Sequence, residues 1–109
     1  MEAGVRRFSG KADFTPVDVM NREGMRRWID GVAQRQGGID LLHANAGIAQ
    51  KASPVADVPY EHWDEMWKTN VSGMFAATRA VAPHMLARDG GSIVFTDSTS
   101  PGCARSASR

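Results

Sequence analysis

The sequence has little cysteine, no long apolar run and no concentration of charge of one sign. Cys103 is the single cysteine among 109 residues, which excludes an internal disulfide. The apolar runs are far shorter than the ~18 residues that a membrane-spanning helix needs. The formal net charge is only +1, without the basic patch that nucleic acid or an anionic membrane attracts. These absences predict a soluble cytoplasmic protein that binds neither membrane nor nucleic acid.

Histidine is also sparse, and its spacing argues against a metal centre. His43, His62 and His84 are far apart, and none has a cysteine or carboxylate neighbour at the spacing of metal ligands. We therefore expect no metal site. A hydrophobic content of 42% in a chain of this length supports one modest core, which predicts a single domain over residues 1–109.

Two strands and a helix are predicted in the first half. The segment Ala12–Val19, "ADFTPVDV", has the β-favouring composition of a short strand, with Pro16 at an irregular edge. Asn21 is a good helix N-cap, and Gly37 and Gly38 end the helix. "IDLLH" then reads as a short buried parallel strand. The apolar stripe of the helix comprises Met25, Trp28, Ile29, Val32 and Ala33.

The second half carries the strongest periodic signal, a long helix that starts near Tyr60. Pro83 should bend this helix or disrupt one of its turns. "DGG" at 89–91 ends it, and "SIVFT" predicts a last strand. Strands that alternate with helices predict an α/β fold with a parallel sheet. One apolar face is expected to contain Trp63, Met66, Trp67, Val71, Met74, Phe75, Thr78, Val81, Ala82, Met85 and Leu86.

Three features could carry chemistry, and each also has a purely structural interpretation. Asn70 interrupts the apolar face, where it either bonds local backbone or points into a site. "ANAG" follows a strand at the sheet edge where ligands bind, but a tight turn uses the same residues. Ser98 follows the last strand, where its hydroxyl could bond a substrate or form a turn. No "GxSxG" motif supports a nucleophilic role for Ser98.

Taken together, these motifs resemble one family. "HANAG" resembles the "NNAG" motif of short-chain dehydrogenases/reductases, with His43 and Ala44 in place of its usual opening. "KTNVSGMF" resembles the segment with the catalytic asparagine, and "GGSIVFTDS" the strand that leads to the catalytic serine. The resemblance covers residues 12–98, with a divergent tail over 99–109.

The resemblance implies a role for each matching position. Asp18 and Val19 would approach the adenine end of NAD or NADP. The cofactor cleft would be lined by Asn45, Ala46 and Gly47. The two catalytic residues would be Asn70, which holds a water in a proton relay, and Ser98, which positions the carbonyl or hydroxyl of a small-molecule substrate during hydride transfer.

The sequence also departs from the family pattern. No segment matches the family's glycine-rich turn, which implies a partial Rossmann-like doubly wound parallel sheet without its first two strands. The strands present could then not all pair, and we expect weak stability. "RSASR" resembles the family's "YSASK" with both functional residues replaced by Arg105 and Arg109. This string follows Ser98 by only seven residues, earlier than in the family, so coincidence or an altered reading frame is the alternative. If Arg105 does occupy the tyrosine position, it cannot supply the proton that the tyrosine gives. With the glycine-rich turn and the Tyr-x-x-x-Lys motif both missing, we expect a truncated and inactive form of the oxidoreductase.

Two other interpretations stay open. The chain could be a non-catalytic interaction module, or a homo-oligomer, that uses Trp63, Trp67 and Phe75 on the helix over 61–88. A flavodoxin-like nucleotide-binding domain has the same element order. The sequence leaves the substrate and the choice between NAD and NADP undetermined.

Overall fold

The computed structural model describes residues 10–49 and 53–97. Helices and two short strands alternate along the chain, and a short 3₁₀ turn lies at Val55–Asp57. In chain order the main elements are α1 (Arg22–Gln36), β1 (Leu41–Ala44), α2 (Tyr60–Trp67), a π-helical turn (Lys68–Ser72), α3 (Gly73–Leu86) and β2 (Ser92–Phe95).

Helix α1 begins and ends where the sequence predicts. The Asn21 side chain accepts a hydrogen bond from the amide of Gly24 at 2.9 Å, which satisfies one of the free N–H groups of the first turn. At the other end Gly37 has a φ of 78°, in the left-handed region that glycine enters without strain. The predicted N-cap and C-cap are both confirmed.

The two strands form a parallel pair, as their separation by helices predicts. Leu42 lies opposite Ile93, and His43 lies opposite Val94. Both predicted strands are confirmed, although β1 is displaced along the chain and includes Ala44. The expectation that β1 is buried is wrong, since Leu41 and His43 are exposed. The described residues therefore form part of an α/β fold.

The strand expected at Ala12–Val19 is wrong. This segment has no regular secondary structure, because no described strand lies beside it to complete a hydrogen-bonded ladder. Val17 and Val19 instead pack against the hydrophobic core, whereas Phe14 is exposed. The expectation that these three segments would not all pair is confirmed, since the described sheet contains only β1 and β2.

The long helix is confirmed, with a feature that the sequence did not reveal. Residues 60–86 are helical throughout, but Lys68–Ser72 form a π-helical turn between α2 and α3. Such a turn inserts one extra residue into the helix and is frequent at functional sites. Pro83 does not interrupt α3, which continues to Leu86.

The core lies between α1 and α3. Met25 and Ile29 of α1 pack against Ala77, Val81 and Met85 of α3, at the spacing of three and four residues that places side chains on one helix face. The predicted apolar face of the long helix is too wide, since five of its eleven residues are exposed. The exposed members are Trp63, Trp67, Val71, Phe75 and Leu86.

A polar contact also joins the two helices. His84 Nε2 lies 2.7 Å from Asp30 Oδ1, and Arg26 Nη1 donates to Asp30 Oδ2 at 2.9 Å. The hydrogen bond from His84, together with the charge of Arg26, holds the pKa of Asp30 below its ordinary value of 3.8. Asp30 is therefore stabilised as a carboxylate in the folded chain.

No described helix has the length and apolarity required to cross a bilayer. Within residues 10–49 and 53–97, no cluster of three or more histidine, cysteine or acidic side chains could hold a metal ion.

We expect Val81→Ala to destabilise the chain strongly, and Leu86→Ala to have little effect. Val81 is 0% exposed between the helices, whereas Leu86 in the same helix is 79% exposed. Removal of two buried methyl groups should lower the free energy of unfolding by about 2 kcal/mol. Urea titration followed by circular dichroism measures both variants, and equal effects would contradict the assignment of the core.

We expect the contact of Asp30 with His84 and Arg26 to stabilise the fold only when Asp30 is ionised. A carboxylate whose pKa is lowered on folding stabilises the native state above its unfolded pKa, and this contribution disappears as pH falls through the folded value. The urea midpoint of Asp30→Asn should therefore lie below that of the wild type at about pH 5.5 and approach it at about pH 3. Asp57→Asn, at an exposed carboxylate, is the control and should show no such convergence.

Candidate functional site

The predicted cofactor turn lies at the carboxyl end of β1. Asn45, Ala46 and Gly47 follow the last strand residue, Ala44, and all three are exposed. β2 ends beside them, with Phe95 paired to Ala44. The carboxyl ends of parallel strands are where ligands bind in open α/β sheets, so the turn is in the expected place.

Asn70 fixes the residue that follows this turn with two hydrogen bonds, one through each polar atom of its carboxamide. Its Oδ1 accepts from the amide of Ile48 at 2.8 Å, and its Nδ2 donates to the carbonyl of the same residue at 3.0 Å. The contact joins the π-helical turn to the chain 22 residues earlier. Asn70 is only partly buried, and each of its polar atoms has a hydrogen bond, which avoids the penalty of an unpaired amide.

Two glycines permit close approach around this contact. A Cβ atom on Gly47 would lie 3.1 Å from Asn70 Oδ1. A Cβ atom on Gly73, at the start of α3, would lie 3.1 Å from the side chain of Val19. A larger residue at either position would push the turn or the segment before α1 away from the helix. A glycine inside a helical pattern is the sequence signal for such close packing.

A pocket of about 240 Å³ lies between the segment before α1 and the end of β1. Three of the five predicted cofactor residues line it, namely Val19, Asn45 and Ala46. Gly47 is not part of the wall but lies next to Asn70. The rest of the lining is largely apolar and consists of Thr15, Val17, Met25, Trp28, Leu42, His43, Ala44, Gly73, Met74 and Ala77.

Asp18 lies beside this pocket and shapes the chain that enters α1. One of its carboxylate oxygens accepts from the amide of Met20 at 2.9 Å, and its carbonyl accepts from the amide of Asn21 at 2.9 Å. These bonds make a tight turn directly before the helix cap. The other carboxylate oxygen is on an exposed side chain.

Ser98 lies outside the described residues, so the structure does not test its position. The described chain reaches Asp97, and Thr96 continues the pairing beyond β2 through its amide, which donates to the carbonyl of Ala44 at 3.1 Å.

Sequence reasoning missed three partners at this site. The first is Ile48, the partner of Asn70. The second is Val19, which lies close to Gly73. The third is Thr96, whose Oγ1 lies 2.8 Å from His43 Nε2. A polar histidine in an otherwise apolar strand was the only signal for the last of these.

Glu23 and Asp30, the carboxylates whose pKa values are lowered, do not lie at the turn after β1. The hydrogen bond from Arg26 lowers the pKa of Glu23, and Asp30 has its own shift described above. Glu23, Arg26 and Asp30 line a groove between α1 and α3 that does not include the turn after β1.

The chain is similar in sequence to several oxidoreductases. The short chain dehydrogenase family matches residues 2–106. A 3beta-hydroxysteroid dehydrogenase of Eggerthella lenta is 32% identical over 98 residues, which are 89% of this chain and 38% of that protein. A 3-oxoacyl-acyl-carrier-protein reductase of Thermotoga maritima is 36% identical over 78% of this chain and 34% of its own length. The chain thus spans less than two fifths of these relatives.

Solved structures show the same arrangement of elements. An NAD⁺-bound xylitol dehydrogenase superposes with a TM-score of 0.84 at 34% identity, over 89% of this chain and 37% of the other. A short-chain type dehydrogenase/reductase from Mycobacterium marinum superposes with a TM-score of 0.82 at 32% identity, over 89% and 39% of the two chains. Since the family match extends over nearly the whole sequence and the fold agrees, the chain belongs to the short-chain dehydrogenase/reductase family.

Proposed function

We propose that this chain forms the central part of a NAD- or NADP-dependent oxidoreductase that transfers hydride between a carbonyl and an alcohol. The observation that carries the proposal is the double hydrogen bond of Asn70 with Ile48. It fixes the turn after β1 beside a pocket at the carboxyl end of the sheet, at the position where the family binds its nicotinamide cofactor.

The pocket residues fit one part of such a cofactor. Small side chains at Ala44 and Ala46 leave the backbone of the turn accessible, and the walls are mainly apolar. Typical ligand sites measure roughly 300–1,000 Å³, so a volume of about 240 Å³ suits a single ring system rather than a whole dinucleotide. Flat aromatic rings bury well against apolar walls of this kind.

The roles proposed for the individual residues come from the resemblance to the family, and the places of these residues are consistent with them. Asp18 and Val19 approach the adenine end, where the carboxylate oxygen of Asp18 that Met20 does not occupy can accept a hydrogen bond. Asn45 and Ala46 line the cleft, and Gly47 follows them beside Asn70. When bound, the nicotinamide supplies or accepts the hydride. The residues of this chain orient the reactants.

Asn70 and Ser98 are proposed as the catalytic pair. After its two bonds to Ile48, the Asn70 carboxamide retains one N–H and one lone pair that can hold a water molecule. Ser98 positions the carbonyl or hydroxyl of the substrate through its own hydroxyl. If Arg105 corresponds to the tyrosine of the family motif, its side chain stays protonated at working pH and cannot act as that tyrosine does. We therefore propose that this chain positions its ligands without turnover.

The names of the relatives support a small-molecule substrate with a hydroxyl or ketone. A hydroxysteroid, a 3-oxoacyl group and xylitol all contain an oxygen-bearing carbon that can exchange hydride with a nicotinamide. We propose the same broad class for this chain and no narrower one.

Asn70→Asp should weaken the binding of NADH or NADPH. The substitution keeps the shape of the side chain, but it places a carboxylate oxygen against the carbonyl of Ile48 and removes a donor. We expect the dissociation constant to rise by up to roughly tenfold, since the hydrogen bond that holds the turn beside the pocket has a net worth of about 0.5–1.5 kcal/mol. Quenching of tryptophan fluorescence by the reduced cofactor measures this constant.

Gln34→Glu is the matched control, because it makes the same change from amide to carboxylate on an exposed residue of α1. It should leave the dissociation constant unchanged. Failure of the wild-type chain to bind either cofactor would contradict the proposed function. Cofactor-dependent reduction of a ketone that Ser98→Ala abolishes would contradict the proposed lack of turnover.

A second candidate function is self-association through an exposed aromatic stripe on α2, the π-helical turn and α3. Trp63, Trp67, Val71 and Phe75 recur every four residues, and three of them are aromatic. Trp63, Trp67 and Phe75 are 58%, 54% and 66% exposed, and the two indoles stack with ring centroids 6.3 Å apart. An exposed apolar patch of this kind favours an interface.

Trp67→Ser should shift the chain from a dimer or larger oligomer towards a monomer. The substitution removes one of the two stacked rings from the stripe, and aromatic residues dominate the energy of many interfaces. Light scattering after size-exclusion chromatography measures the mass. Val55→Ser, at a 90% exposed residue of the 3₁₀ turn, is the control. A monodisperse wild-type monomer would contradict this second candidate.

A further inference from the structure

The groove between α1 and α3 is larger than the pocket at the end of β1, and the proposed function does not use it. Its volume is about 570 Å³, within the range of roughly 300–1,000 Å³ that is typical of small-molecule sites. It shares no lining residue with the pocket at the end of β1. Its overlap with the exposed aromatic stripe is limited to Phe75.

The groove is elongated along the two helices. Arg22, Arg26 and Asp30 recur every four residues of α1 and line one side of it. Arg22 precedes Asp30 by eight residues, which is ~12 Å along the helix axis. At the far end, Asp30 Oδ1 lies 2.7 Å from His84 Nε2. These two residues also line the next groove, so their contact separates the two grooves. The space suits a narrow ligand that lies along the helices.

The α3 side of the groove is mainly apolar. Its apolar lining residues are Phe75, Ala76, Ala80 and Pro83. The ring of Phe75 is 66% exposed, and Ala80 packs partly against the core below. Small side chains at two of these positions leave room for a hydrocarbon chain, which would lose its contact with water against this surface.

The charges of the groove are unevenly paired. Arg26 donates hydrogen bonds to both Glu23 and Asp30, so the two carboxylates of the groove are already neutralised. Within the part of the chain that the structure describes, the side chains of Arg22 and Arg79 form no ion pair or hydrogen bond. The groove therefore offers two unpaired guanidinium groups, one from each helix, beside an apolar surface.

We propose that this groove binds a straight-chain aliphatic monocarboxylate. Arg22 and Arg79 hold the carboxylate, because a guanidinium group donates hydrogen bonds in a geometry that matches carboxylate oxygens. The hydrocarbon chain lies along the apolar side of α3. A dinucleotide suits the groove poorly, since its two phosphates would face the carboxylates of Glu23 and Asp30. The site is separate from the proposed cofactor pocket and needs no bound nicotinamide.

Titration of the ¹⁵N-labelled chain with octanoate, without NADH, tests the proposal. We expect saturable chemical-shift changes at the amides of Phe75, Arg79 and Ala80. Arg22→Gln and Arg79→Gln should each raise the dissociation constant of octanoate about two- to fivefold, the range expected for an exposed ion pair. Glu23→Gln should lower it, because the change removes a negative charge and frees N–H groups of Arg26.

The matched control is Arg27→Gln, which makes the same change at an exposed arginine of α1 outside the groove. It should leave the affinity for octanoate unchanged, and circular dichroism should show equal helix content in all the variants. Octyltrimethylammonium has a chain of the same length with the opposite charge, and it should cause no saturable change at these amides.

Three results would overturn the proposal. They are the absence of saturable changes at the groove with octanoate, equal binding of octanoate and octyltrimethylammonium, and an effect of Arg27→Gln as large as that of Arg79→Gln. A chain that binds octanoate here but does not bind NADH would contradict the proposed function and leave this second site intact.

Discussion

The double hydrogen bond between Asn70 and the backbone of Ile48 is the constraint on which the candidate site depends. It is a contact between the helical layer and the chain that leaves β1, and it uses a donor and an acceptor on each side. The π-helical turn brings Asn70 to this position, since an extra residue rotates the following side chains relative to those of α2. Gly47 supplies the space that the carboxamide needs. Without this contact the exposed turn Asn45–Gly47 would have no anchor in the described chain.

The second constraint is the packing of α1 on α3, which holds the segment before α1 in place. Val81 and its neighbours form a small core between these helices, and Val19 packs against Gly73 where α3 begins. The segment that carries Asp18 is therefore held close to the same pocket as the turn after β1. By contrast, Leu41, Val94 and Phe95 of the strands are exposed.

Much of the local structure could be predicted from the sequence because its signals are local. Asn21 and Gly37 define α1 through capping and backbone conformation, which depend on neighbouring residues. The α/β class follows from the alternation of strands and helices. The strand expected at Ala12–Val19 fails for the opposite reason, since a strand needs a partner and composition does not supply one.

The candidate site could be located from the sequence only in outline. The motif resemblance placed Asn70 and the turn after β1 in one site, and the structure brings both together. The atoms that Asn70 binds depend on a helical irregularity that no spacing rule indicates, because a π-helical turn preserves the apolar pattern on either side. The pairing of His43 with Thr96 depends on strand register, which is set by the whole sheet. The width of the buried face on α3 likewise depends on what α1 covers.

Nuclear magnetic resonance of the ¹⁵N-labelled chain during titration with NADH tests the central claim most directly. We expect the largest changes in amide chemical shift at Val19, Asn45 and Ala46, which line the pocket, and at Gly47 beside the Asn70 contact. Amides along the groove between α1 and α3, such as those of Arg79 and Ala80, should change little. Saturable shifts confined to that groove, or no saturable shifts at all, would contradict the account.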